Sequence, residues 1–200
     1  MKSFLQLVLV VSLAGGLHAT EVPLDVKQSS LKFTGHAFLH DFDGEAKDFS
    51  GTAELDAQKP DLVRNATIDI HAPQLTTFES TRDHNMLVWL HSDTNPNIRY
   101  ELKDIRLLKG NPAQATKDHP AQFHVSGDFT LNKTTKPLET EALGWRESSA
   151  LIVTGTAKID TLDYGLPIIK QFFMTVDKQV DVTFRLVFDL PPELHVPAAP

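Results

Sequence analysis

Alternation of apolar and polar residues limits this chain more than any other feature. Along 123–131, Phe123, Val125, Phe129 and Leu131 fall on one side, and His124, Ser126, Asp128 and Thr130 on the other. Near the C-terminus, Val180, Val182, Phe184, Leu186 and Phe188 share a face opposite Asp181, Thr183, Arg185 and Asp189. Ala66, Ile68, Ile70 and Ala72 alternate with Thr67, Asp69 and His71, and Ile98, Tyr100 and Leu102 with Arg99, Glu101 and Lys103. Successive side chains of a strand point to opposite faces, so each run predicts a strand with one buried side. Weaker runs cover 30–36, 47–56, 137–143 and 150–159. Two segments break the period. Residues 79–91 lack Gly and Pro and predict a short helix, with Thr77 as its candidate cap. Residues 166–174 are a second helix candidate, with Pro167 suited to a first turn.

Eight to ten antiparallel strands with one or two short helices are therefore expected. A sheet of that many strands splits into a sandwich or curls into a barrel. Closure also removes the edges that pair with neighbouring chains. The polar 110–120 stretch reads as a surface loop, and 191–200, with four prolines, as a flexible tail. The expected organisation is a signal peptide over 1–19, one β domain over 20–190, and the tail.

The totals exclude several functions. Lys and Arg number 19 against 26 Asp and Glu, a net charge of −7, and the densest basic stretch, 103–109, also holds Asp104 and three aliphatics. Nucleic-acid binding through phosphate contacts needs the opposite balance, so no nucleic-acid partner is expected. Cys is absent. Disulfides, thiolate nucleophiles and cysteine-held zinc or iron–sulfur sites are thereby ruled out. No G-x-S-x-G, Walker loop, G-x-G-x-x-G or H-E-x-x-H occurs, so the sequence does not point to an enzyme.

At the start, Met1-Lys2 is followed by an apolar run from Phe4 to Leu17, and Ala19 suits a cleavage site. The run is shorter than the ~20 residues that span a bilayer. A cleavable secretory signal over 1–19 is expected, hence a periplasmic or secreted protein without stable membrane insertion.

Several segments carry a family resemblance. Phe33-Thr34-Gly35-His36, then Phe42 and Asp48-Phe49-Ser50-Gly51-Thr52, resemble the opening of YceI-like proteins. Thr81-Arg82-Asp83-His84-Asn85-Met86, followed by Pro96 and Ile98, is similar to that family's Arg-Asp helix and the strand after it. Residues 125–137, VSGDFTLNKTTKP, are similar to its V-x-G-x-L-T-L-x-G-x-T-K-P segment, with Lys133 where Gly is usual. Ile159-Asp160 and Tyr164-Gly165-Leu166 resemble its late strand and turn. The resemblance implies an all-β, extended, antiparallel lipocalin-like barrel. It also implies an apolar lumen that holds a polyisoprenoid lipid or quinone tail, with no resident cofactor.

Elementary physics is compatible with that expectation. An eight-stranded barrel either fills itself with side chains or holds one slender ligand. The chain has 12 Phe against 2 Trp and 2 Tyr. A Phe-lined lumen offers apolar area with no buried polar group to satisfy. The expected lining is Phe33, Phe38, Phe42, Phe123, Phe129, Phe172, Phe184 and Phe188, with Met86 and Trp89 from the helix over a mouth. A head group would meet His36, His40 or Arg82. Two alternatives stay open at this point. His36 and His40 have a spacing that could serve haem or a metal in a redox-associated protein. The barrel could instead be filled throughout and act as an adaptor. A homodimer is also left open.

Overall fold

The structure is a computed structural model that describes residues 19–56, 63–171 and 174–195. The expected signal peptide up to residue 18, the tail beyond His195 and the expected lining residue Phe172 lie outside the described residues.

The strands are β1 (Ala19–Pro23), β2 (Ser30–Ala37), β3 (Phe42–Ala46), β4 (Phe49–Asp56), β5 (Val63–His71), β6 (Leu75–Thr76), β7 (Asn97–Lys109), β8 (Ala121–Leu131), β9 (Thr134–Glu147), β10 (Ala150–Asp160), β11 (Lys170–Gln171) and β12 (Met174–Asp189). One α-helix, α1 (Ser80–Trp89), lies between β6 and β7. The order across the sheet is β1-β4-β5-β7-β8-β9-β10-β12-β2-β3-β6, every pairing is antiparallel, and the short β11 pairs with β12. The sheet curls back on itself. Just beyond β1, Leu24 bridges to Phe188 in β12, and the Asp25 N–H donates to the Val187 carbonyl at 2.7 Å. The expected all-β antiparallel barrel is present, as a curled sheet that counts more strands than expected because two are only two residues long.

The hairpin turns follow local chemistry. Between β8 and β9, Asn132 and Lys133 both take positive φ, +48° and +63°. A two-residue hairpin needs that backbone, which is why Gly is favoured where Lys133 stands. Asn132 compensates by bonding outward: its Nδ2 donates to the Tyr164 carbonyl at 3.0 Å and its Oδ1 accepts from Asn95 at 2.6 Å.

Two helix expectations are corrected. The α1 cap is Glu79, not Thr77: its carboxylate accepts from the Thr81 and Arg82 amides at 3.0 and 2.6 Å. The described part of the 166–174 segment forms no helix. Gly165, at φ +71°, ends a 3₁₀ turn over Thr161–Tyr164, and the chain then runs extended into β11. Pro167 and the β-branched pair Ile168-Ile169 favour that extended path.

The 110–120 stretch also does more than cross the surface. It makes a 3₁₀ turn over Pro112–Gln114, and Ala115 packs with Trp145, Ile152 and Val187. Ile152 is paired directly with both Trp145 and Val187, and Val153 and Leu186 beside them face the interior. Trp145, Ile152 and Val187 are therefore covered by Ala115 on a patch of the sheet's outer face.

Inside the sheet, the packing is uneven from end to end. One end is filled by Leu55, Ala53, Ile68, Val22, Phe49 and Phe188, with Phe184 and Leu186 beside them. Val125, Leu102 and Ala142, joined by Phe123 and Ile105, continue that packing. Toward α1 a separate group gathers Ile98, Phe129, Leu131, Ile159, Tyr164 and Leu166. Tyr100 touches all three groups.

Candidate functional site

Beneath α1 lies a cavity of about 610 Å³. That is within the ~300–1,000 Å³ range of small-molecule sites. Each long strand contributes only the end nearest α1. β12 lends Val176, Val180 and Val182, whereas Phe184, Leu186 and Phe188 further along belong to the filled half. β8 lends Phe129 and Leu131 but not Val125 or Phe123. β2 lends Leu31, Phe33, Gly35 and Ala37; β5 and β7 lend Ile70 and Ile98; β10 lends Ile159. The helix closes the top with Met86, Trp89 and Leu90. The 166–170 segment forms a side wall with Pro167, Ile168 and Ile169.

Two glycines shape the wall by close approach. Gly35 stands opposite Phe42, and Gly44 opposite Phe33. A Cβ built on either would clash with the tip of the facing aromatic ring. Each ring therefore reaches over a glycine of the neighbouring strand, a device that also pins the register of this hairpin.

The charged groups around the mouth are His40, Glu79, Arg82, Lys170 and Asp177; Lys32, further along β2, lies on the outward parity with Glu45 and Thr183 and is exposed. Arg82 is half-buried and already engaged. Its Nε donates to Thr77 Oγ1 and its Nη2 to the Thr77 carbonyl, both at 2.8 Å, and its guanidinium carbon sits 5.1 Å from the Phe42 ring centre. Asp83 works on the same turn from the other side. It accepts from Thr76 Oγ1 at 2.7 Å and from the Thr77 amide and hydroxyl at 2.5 Å each. Burial pushes the Asp83 carboxyl up, but these hydrogen bonds outweigh it and hold the group below the usual carboxylate range. The Arg-Asp pair thus fastens the turn leading into α1. At the other end of the helix, Trp89 Nε1 donates to the Pro167 carbonyl at 2.8 Å, tying the lid to the side wall.

Of the residues expected from sequence, Phe33, Phe42, Phe129, Met86, Trp89, His40 and Arg82 are brought together around the cavity. Four Phe residues are placed elsewhere. Phe123, Phe184 and Phe188 pack in the filled end, where they face inward as alternation required but lie beyond the cavity floor. Phe38 is 82% exposed at the tip of the β2–β3 hairpin, because the strand ends at Ala37 and alternation ends with it.

His36 is also separated from His40. Gly35 and Ala37 line the cavity while His36 between them faces outward, where its Nδ1 lies 3.0 Å from Asp41 and its Nε2 3.5 Å from Asp181. The hydrogen bond with Asp41 is the main cause of a raised imidazole pKa. Among the described residues no group of three or more His, Asp and Glu side chains is arranged to hold a metal ion. The aliphatic liners Leu31, Ile70, Leu75, Ile98, Leu131 and Ile159 were missed by a reading that favoured Phe, although their inward parity was visible in the strand pattern.

A curled antiparallel sheet with an apolar cavity at one end and a helix across it defines a lipocalin-like barrel. The chain belongs to the YceI-like domain family, whose model matches residues 23–188. Among solved structures it is similar to Burkholderia cenocepacia BcnA, with a TM-score of 0.70 at 16% identity over 82% of this chain and 98% of that one. It is also similar to a polyisoprenoid binding domain from Saccharophagus degradans, with a TM-score of 0.66 at 16% identity over 85% and 98%. A Campylobacter jejuni YceI protein aligns with a TM-score of 0.60 at 12% identity over 78% and 89%. No curated protein sequence matches. No helix among the described residues is long and apolar enough to cross a membrane.

Proposed function

We propose that this protein binds an isoprenoid-type amphiphile, a polyprenyl lipid or quinone, and carries or sequesters it outside the cytoplasm after removal of an N-terminal signal. The observation that carries this reading is the division of the cavity: its depth is aliphatic and aromatic, and its charges are confined to the rim. A prenyl tail gains ~0.8 kcal/mol per CH₂-sized group transferred from water. Such a tail can bind well with no polar partner in the depth, while its head remains at the mouth beside Arg82, His40 or Lys170. Family membership supports the reading, as does the likeness to a domain described as polyisoprenoid-binding. The role is binding, not catalysis, since the rim's Arg82 and Glu79 serve as turn and helix-end ligands. The haem- or metal-handling alternative gains nothing from the geometry, because His36 faces outward from β2 beside Asp41 and Asp181, whereas His40 lines the cavity from the loop after it.

The test is organic extraction of protein purified from its native source, followed by mass spectrometry, with uptake of a fluorescent polyprenyl probe by emptied protein. A prenyl lipid in the extract and saturable uptake are expected. Ala37→Trp, which places an indole in the cavity wall, should weaken uptake at least tenfold. Protein that is empty as purified and also refuses the probe sinks the reading.

A further inference from the structure

Three segments frame the cavity mouth: the hairpin loop between β2 and β3, the turn before α1, and 166–170. Each presents large apolar side chains to solvent. Phe38 and Leu39 are 82% and 67% exposed at the hairpin tip, Phe78 is 68% exposed before the helix, and Ile168 is 38% exposed on the side wall. Their chain neighbours Ala37, His40, Glu79 and Pro167 line the cavity. The segments also touch one another: Arg82, at the start of α1, lies over the hairpin's Phe42, and Phe38 is bonded to the strand that follows the side wall. Isolated apolar residues in water are ordinary. A group of them around one opening marks an interaction surface.

Two observations indicate the kind of surface. The first is the backbone. The Phe38 N–H donates to the Thr175 carbonyl at 3.2 Å, and the Phe78 N–H to Thr76 Oγ1 at 3.0 Å. Peptide donors beneath the two exposed rings are already satisfied, as a segment needs to be in a medium without hydrogen-bond partners. Phe78 is held at φ +64°, a conformation that bulky residues avoid. The turn that imposes it is the one fastened by Asp83 and Arg82. The second observation is charge. Arg82 and Lys170 at the rim are interspersed with Asp41, Glu79 and Asp177. The rim presents no single sign that would match a charged protein face, and its attraction is apolar.

We propose that this rim docks on the surface of a lipid bilayer, with Phe38, Leu39 and Phe78 seated at the boundary between headgroups and acyl chains. The mouth then opens onto the membrane, and a prenyl tail passes between bilayer and cavity without crossing water. The inference rests on the proposed binding of an amphiphile and adds the partner from which it is drawn.

Flotation of the full protein with phosphatidylcholine vesicles tests it. Wild type should float equally at low and high salt, because no ion pairing drives the contact. A variant carrying Phe38→Ser, Leu39→Ser and Phe78→Ser should partition at least tenfold more weakly. It should still melt cooperatively and take up a water-soluble short-chain prenyl probe as wild type does, since none of the three lines the cavity. Wild type that ignores vesicles while taking up the probe overturns the docking and leaves the binding reading intact. Wild type that floats but refuses the probe removes the binding reading and leaves the docking. A variant that floats as well as wild type refutes the assignment to these residues. Concentration-dependent dimers lost in the variant, with no vesicle binding by wild type, would give the rim to a second copy of this chain and overturn the proposal.

Discussion

Replacing Asp83 with Ala should be among the more damaging changes outside the hydrophobic core. The substitution removes the acceptor of three hydrogen bonds. The Thr77 amide and hydroxyl, in a residue only 2% exposed, lose their partner. An unpaired buried donor costs about 1–3 kcal/mol. Water can reach the half-buried Asp83 position and the Thr77 oxygen keeps its bond from Arg82, which argues for the lower half of that range at each group. A total of about 3 kcal/mol follows. For a domain of this size that is about 6–12 °C in Tm. Asp83→Asn keeps an acceptor but loses the charge and should cost about 1–2 kcal/mol. Urea titration followed by the fluorescence of Trp89 and Trp145 measures both. Acid supplies a second check. The folded carboxyl lies below its unfolded value of about 3.9, so its contribution is complete above that pH and is lost as pH falls through the folded value. The gap between wild type and Asp83→Ala should therefore close below about pH 4. A variant within 0.5 kcal/mol of wild type at neutral pH, or a gap independent of pH, would refute the role given to this turn.

Three other outcomes are expected. The His36 imidazole, hydrogen-bonded to Asp41, should titrate above 6.5 by NMR; its stabilising contribution is complete below that value and fades as pH rises through the folded pKa, and Asp41→Asn should bring the midpoint down. The Tyr100 phenol is pushed up to about 12 by burial and by the nearby Asp128 charge, and its buried oxygen lacks a hydrogen-bond partner. Tyr100→Phe should thus be neutral or stabilise by about 1 kcal/mol in thermal unfolding, and a loss above 2 kcal/mol would show that the hydroxyl is satisfied after all. Gly35→Val should cost about 1–3 kcal/mol and weaken probe uptake, because its methyls displace the Phe42 ring from the cavity wall; retention of both stability and uptake would contradict the ring-over-glycine packing.

Much of the architecture was legible because a strand's period of two survives in sequence. The β8 and β12 patterns placed inward and outward faces as the sheet places them, and residues 79–91 showed their helix by the lack of breakers. The second helix failed on the 166–170 segment, where a break in the strand period and a proline suited to a first turn pointed to a helix, but the αL turn at Gly165 sent the chain on in extended form. The candidate site was harder to read. Alternation reports which way a side chain faces but not how far along the barrel it sits, so Phe184 and Phe129 look alike in sequence while one fills and the other lines. His36 and His40 share a spacing that carries chemistry only on a helix. Here His36 lies on the outer face of β2 and His40 in the loop beyond its end, so the spacing does not pair them. The work of Arg82 and Asp83 became visible only with Thr76 and Thr77 folded beside them, since nothing in a linear motif separates a ligand contact from a turn clasp.

The barrel's half-filled interior also acts as a ruler. On β2 the lining runs from Ala37 to Leu31, six residue-to-residue steps, or at most about 20 Å at ~3.3 Å per step. The Phe188 and Leu55 plug at the far end sets a stop that no guest can pass without unfolding what holds the sheet together. Carbons beyond that measure must double back or trail out of the mouth, so affinity should climb with each added prenyl unit and then level off. The length at which it levels is written in the position of the stop and not in the chemistry of the wall.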